Sequence, residues 1–443
     1  MYKNIIFFLD FHENSGLGHL NRCLKLRDIF NIKNVTFVTQ KKINISNIHC
    51  INKNFGDFIK KNKKKYDLAV FDSYNKNYNH QKNFKKFVNK IIVIDDLCEN
   101  KFYCDYLINY NPYVKEISYR NKVLKRTLLF LGINYNFILK SKNKLVVQNF
   151  YKKNVLIYFG KKKRTLLIRK ILSRLLNIKN YLNKIIILSN YPIRSDNFSN
   201  LKVLQITNKI NVNKLIVNSE ICIISAGIIL YEAFNLNKII FSKPISKNQK
   251  QHFNFLEKNN HILCLEKLKN ITKKKLIKYK KIINYNIFFP RNNIIFKLIK
   301  NPLQTYNNKS INLEYYNPKY LNDIYLMQTM DYRRYYKNKK SFTISNHQKY
   351  FEKIEYNKKI NFLIIKVDNN FAGYVKTEDI KKLSIISIAI NTKFQNLKIA
   401  TKILKFLNNN DYFAGLPTAY ISKKNTNSIK AFKNANIKNI KFF

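Results

Sequence analysis

Short apolar runs alternate with longer stretches whose apolar residues recur at helical spacing, and this alternation fills most of the chain. Up to about residue 145, the runs at 4–9, 35–39, 68–71, 91–94 and 106–108 read as strands. A second series follows at 155–159, 185–188, 203–206, 221–225, 239–241 and 262–265. Near-continuous apolar strands separated by helical stretches predict parallel sheets covered on both faces. The pattern then changes: Pro290, Pro302 and the polar stretch 305–310 break the periodicity, and a linker is expected at 301–311. The last part predicts strands at 312–316, 362–367, 371–376, 383–390 and 418–422, with helices at 319–327, 346–356, 398–407 and 428–435. The expected division is 1–145, 146–300, the linker, and 312–443.

Polar clusters sit where these strands end. The first is Ser15-Gly16-Leu17-Gly18-His19-Leu20-Asn21-Arg22, directly after the opening strand and ahead of a helix expected over 20–30. A strand, a glycine turn and a helix present a side chain, here His19, in the crevice at the carboxyl edge of an α/β sheet. With 8 glycines in 443 residues, two that flank a single residue are not filler. From spacing alone, a tight turn with a capping histidine reads equally well. Further along come Asp72-Ser73-Tyr74, Asp95-Asp96-Leu97, Cys104-Asp105 with Asn109, and Gly132-Ile133-Asn134-Tyr135. The Asp95-Asp96 pair alone reads as ordinary helix capping. Gly160 precedes Lys161, Lys162, Lys163 and Arg164, and Ser225-Ala226-Gly227 opens a helix carrying Glu232. Such a small-residue loop at a helix start offers free N–H groups and the helix dipole to an anion. Asn248-Gln249 begins the next helix.

In this order the clusters resemble the nucleotide-sugar hydrolases of pseudaminic acid biosynthesis, over residues 1–285. Gly16, Gly18, His19 and Arg22 match G-x-G-H-x-x-R, Asp72 and Tyr74 match D-x-Y, and Asn248-Gln249 match N-Q. Cys104, Asp105 and Asn109 match C-D-x-x-x-N, and Gly132 with Tyr135 match G-x-x-Y. The resemblance implies a GT-B-like pair of Rossmann-type α/β domains, the sugar side in 1–145 and the UDP side in 146–300. It implies hydrolysis of UDP-2,4-diacetamido-2,4,6-trideoxy-β-L-altropyranose, with inversion at C1, C–O cleavage and no metal. His19, Tyr74 and Asn248 are then catalytic. Gly16, Gly18, Arg22, Gly160, Ser225, Ala226, Gly227, Glu232 and Gln249 bind the substrate, with Glu232 at the ribose hydroxyls. Where the family has a Gly-Gly pair and an Asp, this chain has Gly160 and four cations, which suit a diphosphate. The chemistry agrees with a lone base: UDP leaves without a proton from the enzyme, so one group near neutral pKa activates water.

The last part resembles the GNAT acetyltransferases, in particular the acetyltransferase of the same sugar pathway. The residues that carry this are Gly373 in Phe371-Ala372-Gly373-Tyr374, His347 before the second helix, and Asn425-x-Asn427-Ser428-Ile429. The resemblance implies a GNAT-like α+β domain with acetyl-CoA as co-substrate, held by Gln395, Lys398, Ala400 and Asn427. Lys398 replaces the glycine of the family's Q/R-x-x-G-x-G/A loop, and Phe432 stands where many members place a tyrosine that protonates the thiolate. The two activities would act in succession on one amino sugar.

Composition changes this picture little. The formal charge is +58, from 83 Lys+Arg against 25 Asp+Glu, which by itself suggests nucleic acid. The lysines are spread along the whole length and come with abundant Asn, Ile, Tyr and Phe, so a solvated basic surface and anionic small molecules are expected, with no specific nucleic-acid partner. The six cysteines form no C-x-x-C and no zinc spacing, and read as reduced thiols. The first apolar run is too short for a signal peptide and no run reaches a membrane span. A cytoplasmic protein without membrane insertion is expected, and the sequence leaves the oligomeric state open. The rival enzymatic reading is a GT-B glycosyltransferase with a UDP-sugar donor and a non-catalytic GNAT-like unit. A nucleic-acid-binding protein is the rival of another class.

Overall fold

A computed structural model describes residues 2–11, 18–32, 35–40, 48–52, 55–137, 153–206, 212–283, 294–329, 343–355, 357 and 359–443. The chain forms two compact units. The first comprises Asn4–Asp28 and Ile32–Tyr285; the second comprises Met1–Lys3, Ile29–Asn31 and Asn286–Phe443.

The first unit holds two parallel sheets. Strands β1 (Ile5–Leu9), β2 (Val35–Thr39), β3 (Ile48–Asn52), β4 (Tyr66–Asp72), β5 (Val88–Ile94), β6 (Tyr106–Asn109) and β7 (Leu128–Leu131) lie in the order β3-β2-β1-β4-β5-β6-β7. Their helices include α1 (Gly18–Phe30), α2 (Phe55–Lys61) and α3 (Tyr78–Phe84). The second sheet has β8 (Lys153–Tyr158), β9 (Leu182–Leu188), β10 (Leu201–Leu204), β11 (Ile221–Ser225), β12 (Ile239–Lys243) and β13 (Leu263–Cys264), ordered β10-β9-β8-β11-β12-β13. With it go α4 (Thr165–Leu175), α5 (Val212–Val217), α6 (Ile228–Asn235), α7 (Lys247–Lys258) and α8 (Lys273–Ile282). Both sheets run in the 3-2-1-4-5-6 order of a doubly wound fold, so each has a switch point between its first and fourth strands. Ligand crevices form there, beyond the strand carboxyl ends. In this chain those ends are Leu9 and Asp72 in one sheet, Tyr158 and Ser225 in the other.

Burial explains the run-like strands. All five residues of β1 are buried, as a parallel strand covered on both faces requires. Phe8 stacks on Phe71 at 4.7 Å and meets Phe84 and Phe55 edge-on at 4.8 and 5.1 Å. In the second sheet, Ile168, Ile171, Leu172 and Leu175 of α4 share one helical face and pack on Val155, Ile157, Ile185 and Ile187.

The second unit contains α9 (Ile294–Lys300) and a mixed sheet of β14 (Leu303–Gln304), β15 (Ser310–Tyr315), β16 (Ile360–Val367), β17 (Asn370–Ile380), β18 (Leu383–Ile390), β19 (Leu416–Ile421) and β20 (Asn439–Phe442). Pairing is antiparallel from β14 to β18 and parallel from β18 to β20. Its remaining helices are α10 (Leu321–Thr329), α11 (Ile344–Glu355), α12 (Ile399–Asn409) and α13 (Thr426–Asn434). Gly373 is required where β17 meets β18, since it has φ +145° and an added Cβ would lie 2.1 Å from the Ala389 carbonyl oxygen.

Several expectations are corrected. Strands β3, β7, β14 and β20 were not foreseen, and β10 starts two residues before its expected position at 203. Residues 301–311 are not a spacer, for they carry β14 and the start of β15, paired Leu303 to Ile311. The second unit takes in 286–443, so α9 belongs with the mixed sheet rather than with the second parallel sheet.

Candidate active sites

The helix after β1 begins at Gly18, while Gly16 lies outside the described residues. His19 and Arg22, three apart, share a face of α1. Both reach Asp72, the last residue of β4 and fully buried. Arg22 grips it with two bonds, Nε to Oδ2 at 2.7 Å and Nη2 to Oδ1 at 2.6 Å. His19 Nδ1 lies 2.7 Å from the same Oδ1. Burial alone would raise the Asp72 pKa, but the Arg22 guanidinium and His19 hold it well below the usual carboxylate range. Burial would likewise lower Arg22, yet Asp72, Tyr110 and Asp96 keep it above its ordinary value. An ionised carboxylate only accepts, so His19 Nδ1–H donates to Asp72, and Nε2 is the ring nitrogen left to face a substrate. The His19 ring stands edge-on to Tyr74, centroids 4.9 Å apart.

The next strand end supplies a second carboxylate. No helix follows β5 for Asp95 to cap; instead it braces the turn after the strand, accepting from the Leu97 and Cys98 amides at 3.3 and 2.8 Å and from the Tyr119 hydroxyl. Asp96 does something else. Its Oδ2 accepts from Arg22 Nη1 at 3.0 Å, the Tyr74 hydroxyl at 3.0 Å and Asn248 Nδ2 at 3.3 Å. Asn248, in the first turn of α7, also donates to the Tyr74 hydroxyl at 3.0 Å and accepts from Ser246 at 2.6 Å. Burial and then Asp96 push the Tyr74 phenol well above its usual pKa. The Tyr74 amide is held by Asp10 Oδ2 at 2.8 Å, which fixes the loop after β4. His19, Arg22, Tyr74 and Asn248 are thus brought together around Asp72 and Asp96. Sequence reasoning gave Asp96 no part in this; the available signal was its place at the same sheet edge as Asp72.

At the second sheet, Gly160 has φ +80°, Lys161, Lys162 and Lys163 are exposed, and Arg164 directly precedes α4. Ser225 and Ala226 are buried. The Ala226 and Gly227 amides, expected to face an anion, are already used: they donate to Lys243 and Ser225 carbonyls at 3.3 and 2.8 Å. The amides of α6 that lack an intrahelical acceptor are those of Ile228 and Ile229 in its first turn. Gln249 braces this corner, its Oε1 accepting from the Ile245 amide at 3.0 Å and its Nε2 beside Gly227. Glu232, expected at the ribose hydroxyls, forms an ion pair with Lys25 of α1. Burial lowers the Lys25 pKa to about 8.

A buried polar chain continues from the cluster. Arg22 Nη1 donates to the Tyr110 hydroxyl at 3.1 Å, Tyr110 meets Tyr231 edge-on at 6.0 Å, and the Tyr231 hydroxyl lies 3.0 Å from His252 Nδ1. Burial lowers the His252 pKa to about 4. The unfolded chain, with an ordinary value of about 6.5, binds more protons between these two pH values. Stability from this residue is therefore complete above about pH 6.5 and is lost as pH falls through 4. A His252→Gln variant is expected to flatten that part of the urea-midpoint profile by up to about 3 kcal/mol, and an unchanged slope would contradict it.

In the second unit, the β17–β18 ladder runs from Gly373–Ile390 to Ile380–Leu383, whereas the β18–β19 ladder stops at Ile385–Thr418. The two parallel strands therefore part beyond Ile385. Gln395 Nε2 donates to the Ile390 carbonyl at 3.2 Å, and Ala400 lies in the first turn of α12. Lys398 caps that helix with φ +54°, a conformation that costs a non-glycine residue about 1 kcal/mol. Lys398→Gly is expected to raise the unfolding free energy by up to that amount, read as a higher urea midpoint, and a lower midpoint would contradict it. Asn427 sits in the first turn of α13, capped by Asn425, and Phe432 of that helix is buried. His347 lies inside α11 rather than before it.

Among the described residues, no helix is long and apolar enough to cross a membrane and no group of three or more His, Cys, Asp or Glu could hold a metal ion. No protein-family model matches the chain, and no curated protein matches it. Solved structures do. Acinetobacter baumannii MurG is similar over 63% of this chain and 92% of its own, at 12% identity and a TM-score of 0.42. Vibrio cholerae spermidine N-acetyltransferase, solved with CoA and spermine, is similar over 28% of this chain and 79% of its own, at 12% identity and a TM-score of 0.25. Mycobacterium smegmatis RimJ, solved with CoA-disulfide, is similar over 30% of this chain and 71% of its own, at 11% identity and a TM-score of 0.27. At such scores the fold is read from the strand orders themselves: two doubly wound parallel sheets, then a mixed sheet whose parallel strands part. The chain combines a GT-B-like pair of Rossmann-type α/β domains with a GNAT-like α+β domain.

Proposed function

We propose that the first unit hydrolyses a UDP-linked diacetamido-trideoxy sugar to free sugar and UDP, as in pseudaminic acid biosynthesis. We propose that the second is an acetyl-CoA-dependent N-acetyltransferase acting on the amino-sugar precursor. The observation that carries the hydrolase reading is the 2.7 Å contact between His19 Nδ1 and Asp72. It supports the tautomer that leaves Nε2 as a base. Nε2 takes a proton from water as the water oxygen bonds to C1 of the sugar. The C1–O bond to UDP breaks on the opposite face, and UDP departs as an anion that needs no proton. Asp72 stabilises the imidazolium that forms, and the proton then passes to solvent. Tyr74 and Asn248, held on Asp96, orient the sugar. The first turn of α6 receives the diphosphate, where free amides and the helix dipole favour negative charge. Glu232 accepts the ribose hydroxyls in place of Lys25.

In the second unit, the observation that supports acetyl-CoA is the parting of β18 from β19 after Ile385. It leaves strand edge against which the amides of an extended cofactor arm can pair. Acetyl-CoA supplies the acetyl thioester. The start of α12, with Lys398, would hold its pyrophosphate, and Gln395, Ala400 and Asn427 line the same end of the unit. Phe432 offers no proton to the departing thiolate, so water supplies it.

The test is incubation with the 4-amino UDP-sugar, with and without acetyl-CoA, and analysis of products by mass. Diacetylated free sugar, UDP and CoA are expected with acetyl-CoA present. UDP release only on addition of an acceptor sugar would favour a glycosyltransferase, and no UDP release at all would overturn the reading.

A further inference from the structure

Four carboxylates gather at the carboxyl edge of the first sheet, and three have both oxygens occupied. Asp10 accepts from Ser73 and the Tyr74 amide, Asp72 from Arg22 and His19, and Asp95 from the Leu97 and Cys98 amides and Tyr119. Asp96 differs. It is only 7% exposed, its Oδ2 takes three donors, and its Oδ1 is buried with no donor among the described residues. A buried carboxylate oxygen without a donor is costly, and native structures keep such an oxygen where something else is to fill it. The three donors on its sister oxygen are Arg22, Tyr74 and Asn248, which line the sugar side of the crevice.

We propose that Asp96 Oδ1 is the specificity-determining acceptor of this site, taking a hydrogen bond from an N–H or O–H donor on the ring of the bound sugar. The inference rests on the nucleotide-sugar reading above. A site built to pair a buried acceptor rejects a ligand that lacks the matching donor far more strongly than an apolar pocket rejects a missing methylene. The site would therefore tell sugars apart by where they carry an acylamino N–H or a hydroxyl. Asp96→Asn keeps the shape and one acceptor, but turns an amide N–H toward the sugar donor.

The test is calorimetric binding to the full chain of UDP, of the UDP-diacetamido sugar, and of analogues in which one acetamido N–H is an ester oxygen or one ring hydroxyl is hydrogen. Asp96→Asn is expected to weaken the UDP-diacetamido sugar about 10- to 100-fold, with UDP affinity unchanged. One analogue should lose a similar factor in the wild type and nothing further in Asp96→Asn; which one it is separates the N–H from the O–H. Equal weakening of UDP and UDP-sugar, or weakening of neither, overturns the proposal alone. A wild type that binds no nucleotide sugar overturns the reading beneath it as well. Should Asp96→Asn fail to fold, the analogue series on the wild type decides, and equal affinity for every analogue overturns the proposal.

Discussion

Replacing His19 by alanine is expected to slow UDP release from the diacetamido sugar by about 10²–10⁴-fold, the usual contribution of a general base. Affinity for UDP should stay the same, because His19 belongs to the first sheet's switch point and the nucleotide is assigned to α6 of the second sheet. The loss should appear in kcat, since water is activated only in the transition state. The reason lies in the partner. Asp72 is fully buried and gripped by a two-pronged Arg22, and its Oδ1 lies closer to His19 Nδ1, at 2.7 Å, than Arg22 Nη2 does, at 3.0 Å, which favours donation from Nδ1 to the carboxylate. Removing the ring leaves that carboxylate in place, still paired with Arg22, and the fold should survive. A steady-state assay of UDP release checks this, and a His19→Ala variant with wild-type kcat would remove the histidine from the chemistry.

The second large effect concerns stability. Arg22→Met is expected to cost about 3–5 kcal/mol, read as a fall in urea midpoint at neutral pH. The guanidinium is buried and pairs with both Asp72 and Asp96, so its loss leaves two buried carboxylates without their shared cation, Asp72 keeping only His19. The pH profile gives the sign. With Arg22 and His19 present, Asp72 titrates below the ordinary carboxylate range, so its stabilisation is complete above about pH 4 and is lost as pH falls further. Without Arg22, burial dominates, the Asp72 pKa rises, and the variant should recover part of its lost stability as the pH is lowered. Arg22→Lys should fall between the two, since an ammonium keeps the charge but cannot span Nε and Nη2 contacts together. A midpoint unchanged in Arg22→Met would show that the pair contributes nothing.

Much of this was legible in the sequence because parallel sheets write themselves plainly. The Ile5–Leu9 run is apolar at every position, and so announces a strand buried on both faces. Of the residues that gather at the first switch point, Tyr74 lies just past the end of β4, and His19, Arg22 and Asn248 lie near the starts of the helices that follow β1 and β12, where spacing can place them. Asp96 was not legible, because a capping aspartate and a site aspartate look alike beside a strand end. Its neighbour Asp95 only braces the turn after β5, where no helix starts. The pair Lys25–Glu232 joins residues 207 apart, and no local pattern encodes it. The polar stretch 305–310 reads as a linker because a hairpin turn uses the same residues. There, the Thr305 amide closes on the Lys309 carbonyl at 2.8 Å and Asn308 adopts φ +57°. Strands β3 (IHCIN) and β20 (NIKF) are edge strands, where burial on both faces no longer enforces an apolar run, whereas β7 (LLFL) is such a run, too short to stand out.

The central claim is that water, deprotonated by His19, attacks the anomeric carbon. Hydrolysis of the UDP-diacetamido sugar in ¹⁸O-labelled water, without any acceptor, tests it most directly. The label should appear at C1 of the free sugar, initially in the inverted anomer, with UDP unlabelled. Label in the phosphate of UDP, or no free sugar unless an acceptor is added, would contradict it.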